Sequence, residues 1–194
     1  MNGDDVTIDI VNPDGSRAEM SGNGTRIAAA WLMAGSGSTE ARVYVGTRTV
    51  AVRRTGDGLY ESELGSVEVG EREVVDGIEL TVVSVGNPHA VVMGEPSRIE
   101  ELGPRLERHQ RFPERTNVQV ARVEGAGEVT ARVWERGVGE TTASGTSAVA
   151  VAAATHGDGE VLVHFPGGDL LVRLAGGRAW LTGPAEPLDE LPDS

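Results

Sequence analysis

The stretch VTARVWERGVGETTASGTSAVAVAAATHG, residues 129–157, changes its hydrophobic period part-way along. Val129, Ala131 and Val133 alternate with polar residues as in a strand, a polar Gly-rich loop follows, and Ser144-Gly145 opens an Ala- and Val-rich run over 145–155 with almost no polar face. The same order occurs upstream in IDIVNPDGSRAEMSGNGTRIAAAWLMAG, residues 8–35, where Ser21-Gly22 opens the helix. Two such units offer two helix N-termini to one ligand. Each brings unpaired N–H groups and a partial positive charge, which together suit a carboxylate or a developing enolate.

Working outward, alternation predicts strands over 6–11, 41–52 and 59–69, punctuated by Gly46, Gly56 and Gly58. The first helix is expected over about 22–33, stopped at Gly35, and its all-apolar IAAAWLMA run predicts a helix wrapped by sheet. Further strands are expected at 78–85, 90–93, 116–123, 128–134, 161–165, 169–174 and 178–182. A second helix is expected over about 97–108, with Pro96 at its start and Pro113 beyond its end. The pattern reads as α+β in two lobes, 1–75 and 76–194, each a strongly bent sheet around one helix. The hinge is expected at 70–76, with the last residues returning to the first lobe.

At 194 residues and 39% hydrophobic the chain has material for one domain or two small ones. A net charge of −13 argues against nucleic acid or an anionic membrane as partner. No apolar run is long enough to span a membrane, and MNGDDVTIDI is acidic where a signal peptide is basic and apolar, so the default location is cytoplasmic. The absence of cysteine removes disulfides and thiolate metal sites, and the four histidines show no ligand spacing; no metal is expected. The absence of lysine removes a Schiff-base pyridoxal site and a P-loop lysine.

Four ordered motifs carry a family resemblance. NPDGSRAEMSGNGTR (12–26) resembles the NADGS…MCGNGxR segment of the diaminopimelate epimerase family, and WERGVGETTASGTSA (134–148) resembles its ERGxGET…ACGTGA segment. VGNPHAVV (85–92) and LGPRLERHQRFPERTNV (102–118) match two further signatures, and the likeness runs from about residue 10 to 184. The resemblance implies two pseudo-symmetric lobes, each a bent, mostly antiparallel sheet around a central apolar helix, with the first lobe shortened because relatives carry a leading segment. It also implies a cofactor-independent isomerase that inverts an amino-acid α-carbon, converting LL- to meso-diaminopimelate in lysine and peptidoglycan-precursor synthesis. Its partner is a small amino-acid substrate, and a homodimer is left open.

In that family two cysteines face each other across the α-carbon, one removing the proton and the other delivering one to the opposite face. Matched residue by residue they fall on Ser21 and Ser144. A thiol titrates near pH 8.5, whereas a hydroxyl is a weak base until a neighbour activates it; a gap of ~5 units corresponds to about 7 kcal/mol. The exchange fits an engineered change, a relative with altered chemistry, or a noncatalytic descendant.

Taken singly, both serines are ordinary helix caps, and Asn12, Asn23, Asn87 and Asn117 are turn residues. Within the four motifs the resemblance assigns the asparagines, with Gly22, Gly145 and Thr146, to substrate binding. Glu135 suits a substrate ammonium or proton relay and Arg136 a carboxylate fork, although an isolated Glu-Arg pair is usually a solvated couple. His89 is a candidate to orient or activate a serine, or a structural hydrogen-bonder. Ser147 stands where the family motif has glycine, adding a side chain near the carboxylate cradle. Two other readings stay open: a one-base isomerase or eliminase using His89 or Glu135, and a noncatalytic amino-acid binding protein.

Overall fold

In a computed structural model, which describes residues 4–11, 15 and 21–185, the first unit folds as strand, crossover helix, parallel strand and two hairpins. Strand β1 (Asp5–Ile8) leads to α1 (Gly22–Ser36), then to β2 (Glu40–Val45) parallel to β1, then to β3 (Arg48–Gly56) and β4 (Leu59–Ser66). A middle module follows: β5 (Glu68–Val75), β6 (Ile78–Ser84), β7 (Pro88–Met93), a 3-10 turn at Pro96–Arg98, α2 (Ile99–Glu107) and β8 (Asn117–Gly125). The second unit then repeats the order of the first, with β9 (Glu128–Glu135), the short β10 (Gly139–Thr141), α3 (Gly145–Thr155), β11 (Gly159–Phe165) parallel to β9, β12 (Gly168–Ala175) and β13 (Arg178–Pro184).

One mixed sheet runs β1-β2-β3-β4-β13-β12-β11-β9-β8-β7-β6-β5, with β10 paired to β9. The molecule is α+β, as its sequence indicates. β13 lies between β12 and β4, antiparallel to both, and joins the two units into a continuous sheet. Residues 70–75, expected as hinge, are part of β5, which forms a hairpin with β6 through a turn at Asp76 and Gly77. The change of partner falls at Val67, whose N–H donates to the Gly177 carbonyl. Arg48 on β3 also reaches across, donating to the carbonyls of Val85 and Leu64.

The middle module is apolar on both faces. Val91 and Ala121 face the main core around α3, while Ala90, Val92, Val118 and Val120 face α2 and its Ile99, Leu102 and Leu106. A strand covered on both sides loses its alternation, which is why 117–121 reads as an unbroken buried run. The same parity turns His89, Asn117 and Gln119 toward α3.

The two central helices differ. α3 is buried over Gly145–Ala152 because strands of its own unit and of the middle module enclose it. The expectation that α1 is wrapped does not hold: Trp31 is 69% and Ile27 57% exposed. Among the described residues α1 packs on β1–β4 and touches α3, and no second layer of strands lies over its outer face. α1 also continues through Gly35 to Ser36, since the residue that adopts the left-handed capping conformation is Gly37 (φ 73°), with its N–H on the Met33 carbonyl. No described helix is long and apolar enough to cross a membrane.

α2 approaches β9 closely through Gly103, where an added Cβ would lie 2.7 Å from Trp134 Cβ. Gly103→Ala gains about 1 kcal/mol of helix propensity but overpacks the contact at about 1–3 kcal/mol. A net loss of stability of up to about 2 kcal/mol is expected in urea denaturation, where a helix position free of the contact would gain.

Candidate active site

The N-termini of α1 and α3 meet. A Cβ added to Gly22 would lie 3.1 Å from Gly145 Cα, and one added to Gly145 would lie 3.0 Å from Gly22 Cα and 2.7 Å from Leu181 Cδ2. Only residues without side chains allow this approach. Ser21 and Ser144 immediately precede these glycines as N-caps with matching backbones, φ −140°, ψ 115° and φ −144°, ψ 126°. Their hydroxyls differ in use. Ser21 Oγ accepts from the Gly24 N–H at 3.0 Å, while the Ser144 side chain makes no capping bond although the residue is buried. The remaining first-turn N–H groups have no intrahelical acceptor and point along the helix axes toward the shared end.

Behind α3 a chain of polar side chains starts and ends on its first turn. Gln119 Nε2 donates to Ser147 Oγ (3.0 Å) and to His89 Nδ1 (3.0 Å). With Nδ1 accepting, Nε2 carries the proton and donates to Asn87 Oδ1 at 2.9 Å. Asn87 Nδ2 completes the path to Thr146 Oγ1 at 3.5 Å. His89 is fully buried, and burial lowers its pKa to about 3 despite the Gln119 hydrogen bond, so the ring is neutral. Both nitrogens are occupied, which corrects the expectation of His89 as a base: it orients Asn87. Ser147 likewise points into the protein and not toward the helix end.

The turn after β9 is held as firmly. Asn117 Nδ2 donates to the Pro88 carbonyl (2.9 Å), and its Oδ1 accepts the Arg136 N–H (3.0 Å), tying the 85–89 loop to the 135–138 turn. Glu135 Oε1 accepts from Thr141 Oγ1 at 2.6 Å. The Arg136 guanidinium reaches the Glu114 carbonyl at 3.5 Å. Asn23 Oδ1 accepts from Arg26 Nη2 at 2.7 Å. Asn12 lies outside the described residues.

Glu107, which sequence reasoning passed over as part of a helix, anchors the turn. It is 3% exposed; Oε1 accepts the Gly137 N–H (2.9 Å) and Oε2 the Trp134 Nε1–H (3.1 Å). Arg115 lies 3.6 Å from Oε1 and Arg108 3.6 Å from Oε2. Burial raises the carboxyl pKa, but these donors and cations outweigh it and the net shift is downward. The signal available in the sequence was a glutamate at the apolar end of an amphipathic helix, 28 residues before the Glu135 it helps to position. Gln119 left no comparable trace, because a polar residue on a strand reads as the exposed face.

Away from this region His164 sits between Asp169 (2.8 Å) and Glu128 (2.8 Å), whose hydrogen bonds raise its pKa. Among the described residues no three His, Asp or Glu side chains are grouped to hold a metal ion.

The sequence model described as diaminopimelate epimerase matches residues 81–186. A protein named diaminopimelate epimerase from Desulfitobacterium hafniense is 38% identical over 212 residues, covering 93% of this chain and 75% of the relative. One from Azotobacter vinelandii is 38% identical over 208 residues, with the same coverage of 93% and 75%. The chain belongs to the diaminopimelate epimerase family. Solved structures show the family fold at lower identity. A predicted epimerase from Pseudomonas aeruginosa superposes with a TM-score of 0.73 at 19% identity, over 97% of this chain and 79% of that one. A hydroxyproline epimerase from Agrobacterium vitis gives 0.63 at 16% identity, over 92% and 67%. In this member of the epimerase family, serines stand at the two helix caps.

The Glu107 clamp predicts a pH-dependent cost. Glu107→Gln leaves one donor facing an amide N–H, and is expected to lose about 1–3 kcal/mol at pH 7. Because the folded-state pKa lies below the free value, the wild-type advantage is complete above the ordinary glutamate range, about 4.3. It is lost as pH falls through the folded value, so the two urea midpoints should converge in acid.

Proposed function

We propose that this chain binds a free α-amino acid of the diaminopimelate type between the two helix N-termini, with its α-carbon between residues 21 and 144. The observation that carries this reading is the contact of Gly22 with Gly145, which brings two cap positions of the same backbone geometry to one place. Unpaired N–H groups there suit an α-carboxylate and, more strongly, the dianionic enolate that forms when the α-proton leaves. In the complete reaction the base at one cap takes the α-proton, its electron pair passes into the carboxylate, and the acid at the other cap returns a proton to the opposite face. LL-diaminopimelate becomes the meso form, a step toward lysine and peptidoglycan precursors.

Asn87, Asn117 and Arg136 belong to the walls of this site in the proposal, with Asn23 and Thr146 at the helix ends. Glu135 and Arg136 are offered on a turn that Asn117 and Glu107 hold rigid. The serines set the limit. Ser21 Oγ is engaged as a cap and His89 has no nitrogen left to activate a hydroxyl. This favours, as a second reading, a chain that keeps the amino-acid site while turning over slowly.

The test is α-hydrogen exchange of LL-diaminopimelate in D₂O, followed by NMR. The protein with both serines is expected to leave the α-proton signal nearly unchanged. Ser21→Cys combined with Ser144→Cys is expected to restore exchange and epimerisation by several orders of magnitude, since about 7 kcal/mol of base strength is returned at each position. Either single change should epimerise far less, one face lacking its acid or base. Fast exchange by the unmodified chain would overturn the assignment and direct attention to Glu135.

A further inference from the structure

The polar path behind α3 has a direction, and Gln119 stands at its head. Gln119 is fully buried on β8, and each of its two amide N–H bonds has an acceptor, Ser147 Oγ at 3.0 Å and His89 Nδ1 at 3.0 Å. Its Oε1 is buried without a partner. Turning this amide over would place Oε1 against His89 Nδ1, and the ring proton would have to move to Nδ1. His89 Nε2 would then face Asn87 Oδ1 at 2.9 Å, acceptor against acceptor, until Asn87 turned over as well. The path therefore reverses only as a whole. In the direction seen, its one unpaired atom is a carbonyl-type oxygen, which a protein interior tolerates better than an unpaired N–H.

The direction has a consequence at the far end. With its Oδ1 taken by the His89 Nε2–H, Asn87 turns Nδ2 toward Thr146 Oγ1 at 3.5 Å, on the first turn of α3 and two residues from Ser144. Gln119, His89 and Ser147 are fully buried, whereas Asn87 is half-buried. Thr146 occupies at most one of the two Nδ2 N–H bonds. The path thus ends beside the α3 N-terminus on a donor. Ser147, which stands where the family motif has glycine, supplies the acceptor for the second N–H of Gln119 and so belongs to the same device.

We propose that Gln119 is a positioning residue: it holds the His89 proton on Nε2 and thereby makes Asn87 a hydrogen-bond donor to the ligand's carboxylate. The ligand half rests on the amino-acid site proposed above. The reversed path would turn Asn87 Oδ1 toward the same place and set an acceptor against the anion. A donor there acts in the same sense as the first-turn N–H groups of α3.

Long-range ¹H–¹⁵N spectra of the full chain read the tautomer directly, with the His89 signals identified by their loss in His89→Gln. Wild type is expected to show Nε2 protonated and Nδ1 bare; a proton on Nδ1 would overturn the proposal without recourse to any Gln119 variant. Gln119→Met, close in volume but without the amide, is expected to admit the Nδ1–H form, and a ring still wholly Nε2–H would show that Gln119 does not set it. Calorimetry with LL-diaminopimelate tests the other half. Asn87→Asp keeps an acceptor for the His89 proton, so its tautomer should match wild type, but it presents an anion in place of a donor and should bind at least about tenfold more weakly. Equal affinity would remove Asn87 as the donor. If wild type does not bind LL-diaminopimelate, the amino-acid site fails and the carboxylate role of Asn87 falls with it, while the tautomer spectra still decide the role of Gln119.

Discussion

The contact between Gly22 and Gly145 is the constraint on which the rest of the molecule depends. These two helices abut at their N-termini only because neither carries a side chain there, since a Cβ on either glycine would crowd the Cα of the other. The approach is held from outside. Leu181, which presses on Gly145, belongs to β13, and β13 is also the strand that joins the sheet of one unit to that of the other. The element that closes the fold therefore sets the distance between the two caps.

The two halves of the site are not equivalent, although their backbones are. α3 is enclosed on all sides, and the Ser147–Gln119–His89–Asn87–Thr146 path fixes its first turn to the middle module. α1 has no such backing and leaves Trp31 and Ile27 in solvent. The serines follow the same asymmetry: one hydroxyl closes its helix and the other is left out of the cap.

Precision in the polar turns comes from buried side chains bonded to the backbone. Asn117 spends one donor and one acceptor on backbone, joining the 85–89 loop to the 135–138 turn. Glu107 does the same with a charge, and its carboxylate is stable in the interior because four donors or cations surround it. Arg26 is the contrast: equally buried, equally charged, and incompletely matched.

Much of this was determined by the sequence alone. Alternation at Val129, Ala131 and Val133, the glycines between strands, and the repeated Ser-Gly before an Ala-rich run define the strands, the α3 boundaries and the duplication, because these signals act over a few residues. The family motifs contain Asn87, His89 and Thr146, which one hydrogen-bonded path joins at the start of α3. Only the tertiary structure decided what lies at long range. Whether an apolar helix is covered depends on how many strand layers reach it, so α1 and α3 read alike and fold differently. His89 lost its standing as a base because Gln119, thirty residues on, occupies its second nitrogen. Glu107 and Arg26 drew no reading of their own from the sequence, and their burial follows from strands and glycines that no local pattern connects to them.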